Sequence, residues 1–170
     1  ERKRQTVEEF IKELESDPVW RAKHDALEAK LDKRAEEFAA EERPLVADLR
    51  KAGFKINSLQ ELFDPYADRP WERQPQAPYP AAIPVLLKHV RRKYSSEIRD
   101  TIARTMAVSD SRPYWSELKQ LYLNENDERV KDGFACIVSA IAKSHKALLP
   151  EVVELMHDRR NGASRILMVD

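Results

Sequence analysis

The sequence predicts an all-α protein: a long charged N-terminal helical segment, then helix pairs repeated as an α-solenoid. Three observations carry this. Apolar residues recur at three- and four-residue steps from Trp20 to Leu49, the spacing of a helix face. Only three glycines, Gly53, Gly133 and Gly162, occur in 170 residues, where average usage gives about 12. Sheet-rich folds need glycine at many of their turns, so the shortage argues against them. Finally, a unit of 32 and then 34 residues recurs beyond residue 80.

Residues 1–63 form the charged segment. Thr6 and Glu9 fit a capping box before a short helix, Val7 to Glu15. Asp17-Pro18 reads as the N-cap and first residue of a second helix. Its stripe is Trp20, His24, Leu27, Leu31, Ala35 and Phe38, resuming at Leu45 and Leu49 before Gly53, a good residue just past a helix end. Pro44 costs a hydrogen bond in mid-helix. The expectation is therefore either one kinked helix of about 35 residues, ~50 Å long, or two helices meeting near Arg43. Ser58 is placed to cap a short turn, Leu59 to Phe63. The stripe spans about three heptads and includes His24, so it is expected to fold back on the repeats rather than pair with a second chain.

Residues 64–80 form a crossover. Pro65, Pro70, Pro75, Pro78 and Pro80 forbid a regular helix or a central strand. Tyr66, Trp71 and Tyr79 imply a segment lying against the body, with Trp71 also a candidate contact for a partner. The competing reading, a proline-rich ligand, rests on the single pair Pro75 and Pro78.

Residues 81–170 carry the repeats, bounded as 81–107, 111–142 and 146–170. Ala82–Val90 aligns with Tyr114–Tyr122 and Leu148–Met156. Partner helices are expected at Glu97–Ala107, Glu128–Ala142 and from Ala163 onward. Arg99-Asp100 falls over Lys131-Asp132, with Ile98 on Val130, Ile102 on Phe134 and Met106 on Val138. Turn residues at Ser95-Ser96, Ser109–Ser111, Asn124–Asp127 and Asn161-Gly162 separate the helices. A helix-pair unit of this length buries its apolar face only against its neighbours.

These residues resemble HEAT-like repeats. The likeness lies in the helix pairs, the prolines near the start of two first helices (Pro84, Pro150), and the apolar–basic step Ile98-Arg99 or Val130-Lys131. It covers roughly residues 80–170. The family often has Asp between paired helices, whereas Lys93, Glu125 and Arg159 stand there in this sequence. The resemblance implies a curved recognition surface, and compact bacterial members include immunity proteins that neutralise a toxin.

Chemistry is sparse. His24, His89, His145 and His157 are scattered, and no His-Glu-x-x-His occurs, so no metal site is expected. His24 is assigned to the stripe and the others to the surface. Cys136 lies mid-helix in an apolar run and reads as a packing residue, without the neighbouring cation a reactive thiolate needs. The three glycines are too far apart for a phosphate loop, and no Gly-x-Ser-x-Gly elbow occurs. No catalytic residue and no cofactor is expected.

The sharpest feature is basic: Lys88-His89-Val90-Arg91-Arg92-Lys93. The whole chain holds 30 basic and 30 acidic residues, but residues 1–78 hold 15 and 18, against 15 and 12 in residues 79–170. The plain alternative is a solvated helix end where cations favour the dipole. A 100° wheel projection places Asp100, Arg104, Asp132 and Cys136 on an outer ridge. The expected function is non-catalytic protein binding, as an adaptor, scaffold or immunity-type inhibitor. Arg91, Arg92, Lys93, Asp100, Arg104, Asp132 and Trp71 are its candidate contacts, and a toxin is the most specific partner. The alternative is a nucleic-acid binder resembling HEAT-like DNA glycosylases; balanced charge and two ridge aspartates argue against it. No run of 18 apolar residues exists to span a membrane, and the start, Glu1-Arg-Lys-Arg, is not that of a signal peptide. A single cysteine fits a reducing cytoplasm.

Overall fold

Local sequence signals decide where the helices start and stop. The computed structural model describes residues 6–62 and 79–168, and their regular structure is helical throughout. Tyr66 and Trp71 lie outside the described residues. The chain divides into two compact units, residues 1–40 and 41–170. Residues 41–62 thus belong with the second unit and not with the charged segment read from composition. Composition averages over their apolar residues, and Leu45, Leu49, Phe54, Ile56, Leu59 and Leu62 are all buried.

In the N-terminal unit, α1 (Val7–Ser16) opens on the expected capping box. The Glu9 N–H donates to Thr6 Oγ1 at 3.2 Å, and the Thr6 N–H to Glu9 Oε2 at 3.0 Å. Asp17 closes α1 and opens α2 (Pro18–Lys51), its Oδ1 accepting from the Val19 N–H at 2.8 Å. No residue from Thr6 to Ala40 is buried. Of the stripe residues in this unit, Leu27 and Leu31 are exposed at 55% each, and Trp20 and Phe38 are half-buried.

In the second unit α2 runs on through Pro44 as one helix, the first of the two alternatives. Pro44 is exposed, and the buried residues Leu45, Val46 and Leu49 just after it hold this stretch while one backbone bond is lost. Gly53 then ends the helix in a Schellman motif. With φ at 99° it donates to the Arg50 carbonyl at 3.0 Å, and Phe54 donates to the Leu49 carbonyl at 3.1 Å. The following turn, Leu59–Leu62, is capped differently from expectation. The Leu59 N–H goes to Glu42 Oε2 at 3.0 Å, and Ser58 contributes its carbonyl to Glu61. Burial pushes the Glu42 carboxyl up from its usual value, against that hydrogen bond.

Next come α3 (Ile83–Val90), α4 (Ser96–Thr105), α5 (Trp115–Asn124), α6 (Glu128–Ser144) and α7 (Leu149–His157). Ser95 caps α4 through Ile98, and Asp127 caps α6 through Arg129 and Val130. α6 packs against α4, α5, α7 and residues 159–168. Its buried Val130, Phe134, Ile137, Val138 and Ile141 are central to the core. Gly133 permits the close crossing: a Cβ there would stand 2.8 Å from Ala103 Cβ and 2.9 Å from Asp100 Oδ1.

The α-helix expected from Ala163 onward does not form. Arg159–Met168 is 3-10 winding broken at Gly162, whose φ is 66° and ψ −150°. Side chains compete with a helical ladder there: Asn161 Nδ2 donates to the Leu155 carbonyl and Ser164 Oγ to the Asn161 carbonyl. Ile166 and Leu167, inside the expected helix, are exposed, while Ser164 and Met168 are buried.

Candidate functional site

The basic run at the end of α3 is split by the helix turn. His89 and Val90 point inward, while Lys88, Arg91, Arg92 and Lys93 are exposed. The pivot is Asp48 on α2. Its Oδ2 lies 3.0 Å from His89 Nε2, 3.4 Å from Lys88 Nζ and 4.0 Å from the Arg92 guanidinium, and Lys51 reaches Oδ1 at 3.1 Å. The His89 hydrogen bond first, then Lys51 and Lys88, hold the Asp48 carboxyl far below the usual carboxylate range.

His89 is a correction to the sequence reading, which placed it on the surface. Its side chain has 0% exposure. Nδ1 lies 2.7 Å from the Tyr94 hydroxyl, and the two rings stack with centroids 5.9 Å apart. A carboxylate can only accept, so neutral His89 donates from Nε2 to Asp48 and accepts at Nδ1 from Tyr94. Burial pushes the imidazole below its usual value, and the Asp48 hydrogen bond opposes this only in part. The cluster ties α2 to α3 and fixes where the exposed cations stand.

Arg91 turns away from this cluster to pair with Glu117 on α5. Arg92 remains at the edge of the Asp48 cluster, and Lys93 is exposed one residue on. Of the sequence-derived candidates, the structure brings Asp100 and Arg104 together as an ion pair and sets Arg92 at Asp48 beside Lys88 and Lys51.

The outer ridge is only partly a ridge. Asp100 is 7% exposed and accepts from Arg104 Nε at 2.8 Å and Arg129 Nε at 3.4 Å. The wheel projection treats α4 as an isolated cylinder, and α6 covers the Asp100 side at the Gly133 crossing. Arg104 also donates to Cys136 Sγ at 3.4 Å, so the cation absent from the sequence reading is present. The thiol is nonetheless pushed up, by burial first and by Asp100 and Asp132, with Arg104 opposing. Asp132 is half-buried and borders a polar groove of about 250 Å³ between the start of α6 and residues 159–164, lined by Glu128, Lys131 and Arg160 among others. Sequence reasoning missed this groove because it depends on where residues 160–164 lie against the start of α6, a long-range placement that local patterns do not give.

Trp71 lies outside the described residues. Tyr122, Trp115 and Phe134 are buried and Tyr114 is half-buried; Trp115 Nε1 donates to Glu151 at 3.1 Å and the Tyr122 hydroxyl lies 3.0 Å from Ser164 Oγ. The histidines are not as free of carboxylates as they looked in sequence. On α2, His24 Nδ1 lies 3.7 Å from Glu28 Oε2, and Asp25 brings a third ligand atom within 4.8 Å. Spacing of i, i+4 on an exposed helix gives such pairs directly. No helix among the described residues is long and apolar enough to cross a membrane. Compared with protein-family models, characterised proteins and solved structures, the chain matches none.

Proposed function

We propose that the chain is a HEAT-like helical-repeat protein that binds another protein without catalysis, as an adaptor or an inhibitor of the immunity type. One observation carries the reading: Lys51, Lys88 and Arg92 share the single carboxylate of Asp48, with exposed Lys93 alongside. Three cations around one anion leave a positive patch, and a buried, doubly hydrogen-bonded histidine holds it rigid. Such a patch suits an acidic protein face, where charge complementarity sets association rate and specificity. The solenoid part of the reading is supported by contacts at the repeat spacing. Arg129 meets Glu97, Cys136 meets Arg104 and Glu151 meets Lys119, each pair 32 residues apart.

A nucleic-acid partner keeps one observation in its favour: Asp100 is neutralised by Arg104 and Arg129 and so does not repel phosphate from the ridge. Capture of the partner from native lysate, with and without nuclease, separates the two readings. One stoichiometric protein that survives nuclease and is lost with Arg92→Glu and Lys93→Glu supports protein binding. These two positions are cleaner than Arg91, whose reversal also breaks the Glu117 pair. Salt-sensitive binding to duplex DNA, lost with the same variants, overturns it.

A further inference from the structure

His89 is the one titratable side chain of the basic run that is buried, and it lies directly beneath the exposed cations. From α2 it faces Asp48, whose other oxygen holds Lys51. On its own helix and the turn after it stand Lys88, Arg92 and the stacked ring of Tyr94. α4 brings Arg99, which donates to the Val90 carbonyl at 3.1 Å and pairs with Glu125, while its Glu97 and Asp100 turn to Arg129 on α6. The 3-10 turn Tyr79–Ala82 brings Tyr79, whose hydroxyl donates to the Thr105 carbonyl. Besides burial and the Asp48 hydrogen bond, the charges that act on the imidazole are those of Arg92, Asp48 and Lys88.

Neutral His89 uses both ring nitrogens, so a further proton can arrive only at Nδ1, 2.7 Å from the Tyr94 hydroxyl. That hydroxyl can accept as well as donate, so both hydrogen bonds survive the change. The new positive charge then lies 3.0 Å from Asp48 Oδ2, the oxygen that Lys88 and Arg92 share. The imidazolium takes over the carboxylate, and the three exposed cations are left without an anion of their own. We propose that His89 is a proton-operated regulator of the basic patch: its protonation strengthens the hold on an acidic partner. The inference rests on the reading of this patch as the partner-binding surface. Coupling of this kind is reciprocal, so an acidic face seated on Lys88, Arg92 and Lys93 in turn favours the imidazolium. Burial opposes the proton, which places the response on the acid side of the usual histidine value near 6.5.

An aspartate decapeptide serves as the acidic probe, titrated calorimetrically onto the full chain at low salt. Its affinity should rise about threefold from pH 7.5 to pH 5.5. The rise cannot come from the probe, because any proton its carboxylates gain weakens binding. The chain holds three other histidines, so His89→Gln is the control and should remove the rise. A second readout needs no variant: the titration midpoint of the His89 imidazole, followed by NMR in the wild type, should move up when the decapeptide is bound. An equal rise in wild type and His89→Gln, or a midpoint that the probe does not move, overturns the inference and leaves the patch reading standing. A decapeptide that binds at neither pH, or binds equally well to the chain carrying Arg92→Glu and Lys93→Glu, overturns the patch reading and the inference with it.

Discussion

Gly133→Ala tests the close crossing of α4 and α6, and its sign is not the one helix propensity gives. In a solvated helix this change stabilises by about 1 kcal/mol. Here the new Cβ would stand 2.8 Å from Ala103 Cβ, 2.9 Å from Asp100 Oδ1 and 3.1 Å from the Asp100 carbonyl oxygen. Carbon contacts are comfortable at about 3.5–4.0 Å, so the helices must part locally by ~1 Å. None of the three neighbours yields easily: one is backbone, one is a Cβ, and the carboxylate is held by Arg104 and Arg129. Overpacking of this kind costs about 1–3 kcal/mol. After the propensity gain, a net loss of ~1–2 kcal/mol remains, a fall in Tm of about 2–4 °C per kcal/mol for a chain of this size. Urea and thermal unfolding read it. Adding Ala103→Gly removes one of the three clashes, so a double-mutant cycle should return a favourable coupling of at least ~0.5 kcal/mol. A Tm that rises in Gly133→Ala, or a coupling of zero, would refute the close-crossing argument.

Two further outcomes follow from the buried titratable groups. His89 has its folded pKa depressed by burial, so its contribution is intact above its usual value near 6.5 and is lost as pH falls below it. His89→Gln should lower stability at pH 7.5 by about 1–3 kcal/mol, yet lose less than wild type on going to pH 5.5; parallel losses would sink the assignment. Cys136, pushed up by burial with Arg104 opposing, should react with a thiol reagent at neutral pH at least ~tenfold more slowly than in the unfolded chain. Arg104→Ala should raise the thiol pKa further, and a faster reaction would contradict the electrostatics.

Much of the fold was legible because its signals are local. Thr6 with Glu9, Asp17 with Pro18, Ser95, Asp127 and Gly53 each act on backbone groups within a turn of themselves. The all-helical class follows from the same spacing. Unread were the pairings that depend on distant segments. Asp48 and His89 are 41 residues apart and meet only because the end of α2 lies against α3. Asp100 looks outward on its own helix and is enclosed by the next. The last segment shows local chemistry overruling pattern: Ile166 and Leu167 have helical apolar character, but Asn161 and Ser164 bind backbone groups first, around Gly162.

Net charge was the least informative number in the sequence, and the ion pairs explain why. Between residues 91 and 151, cations are matched across elements: Arg91 with Glu117, Arg99 with Glu125, Lys119 with Glu151, and Arg129 with Glu97 and Asp100. Each match removes one charge of either sign from the surface field and leaves the total unchanged. What projects into solvent is the remainder after pairing, and it is unevenly placed. At the end of α3 the remainder is positive, since Lys51, Lys88 and Arg92 have only Asp48 to divide among them. Salt screens surface charges beyond about 10 Å, so a partner meets this local excess and not the neutral sum. A chain with no net charge can therefore still select an acidic face. Reversing Asp48 would test that account poorly, because His89 depends on it; reversing Arg92 and Lys93 alters the remainder while leaving the buried cluster in place.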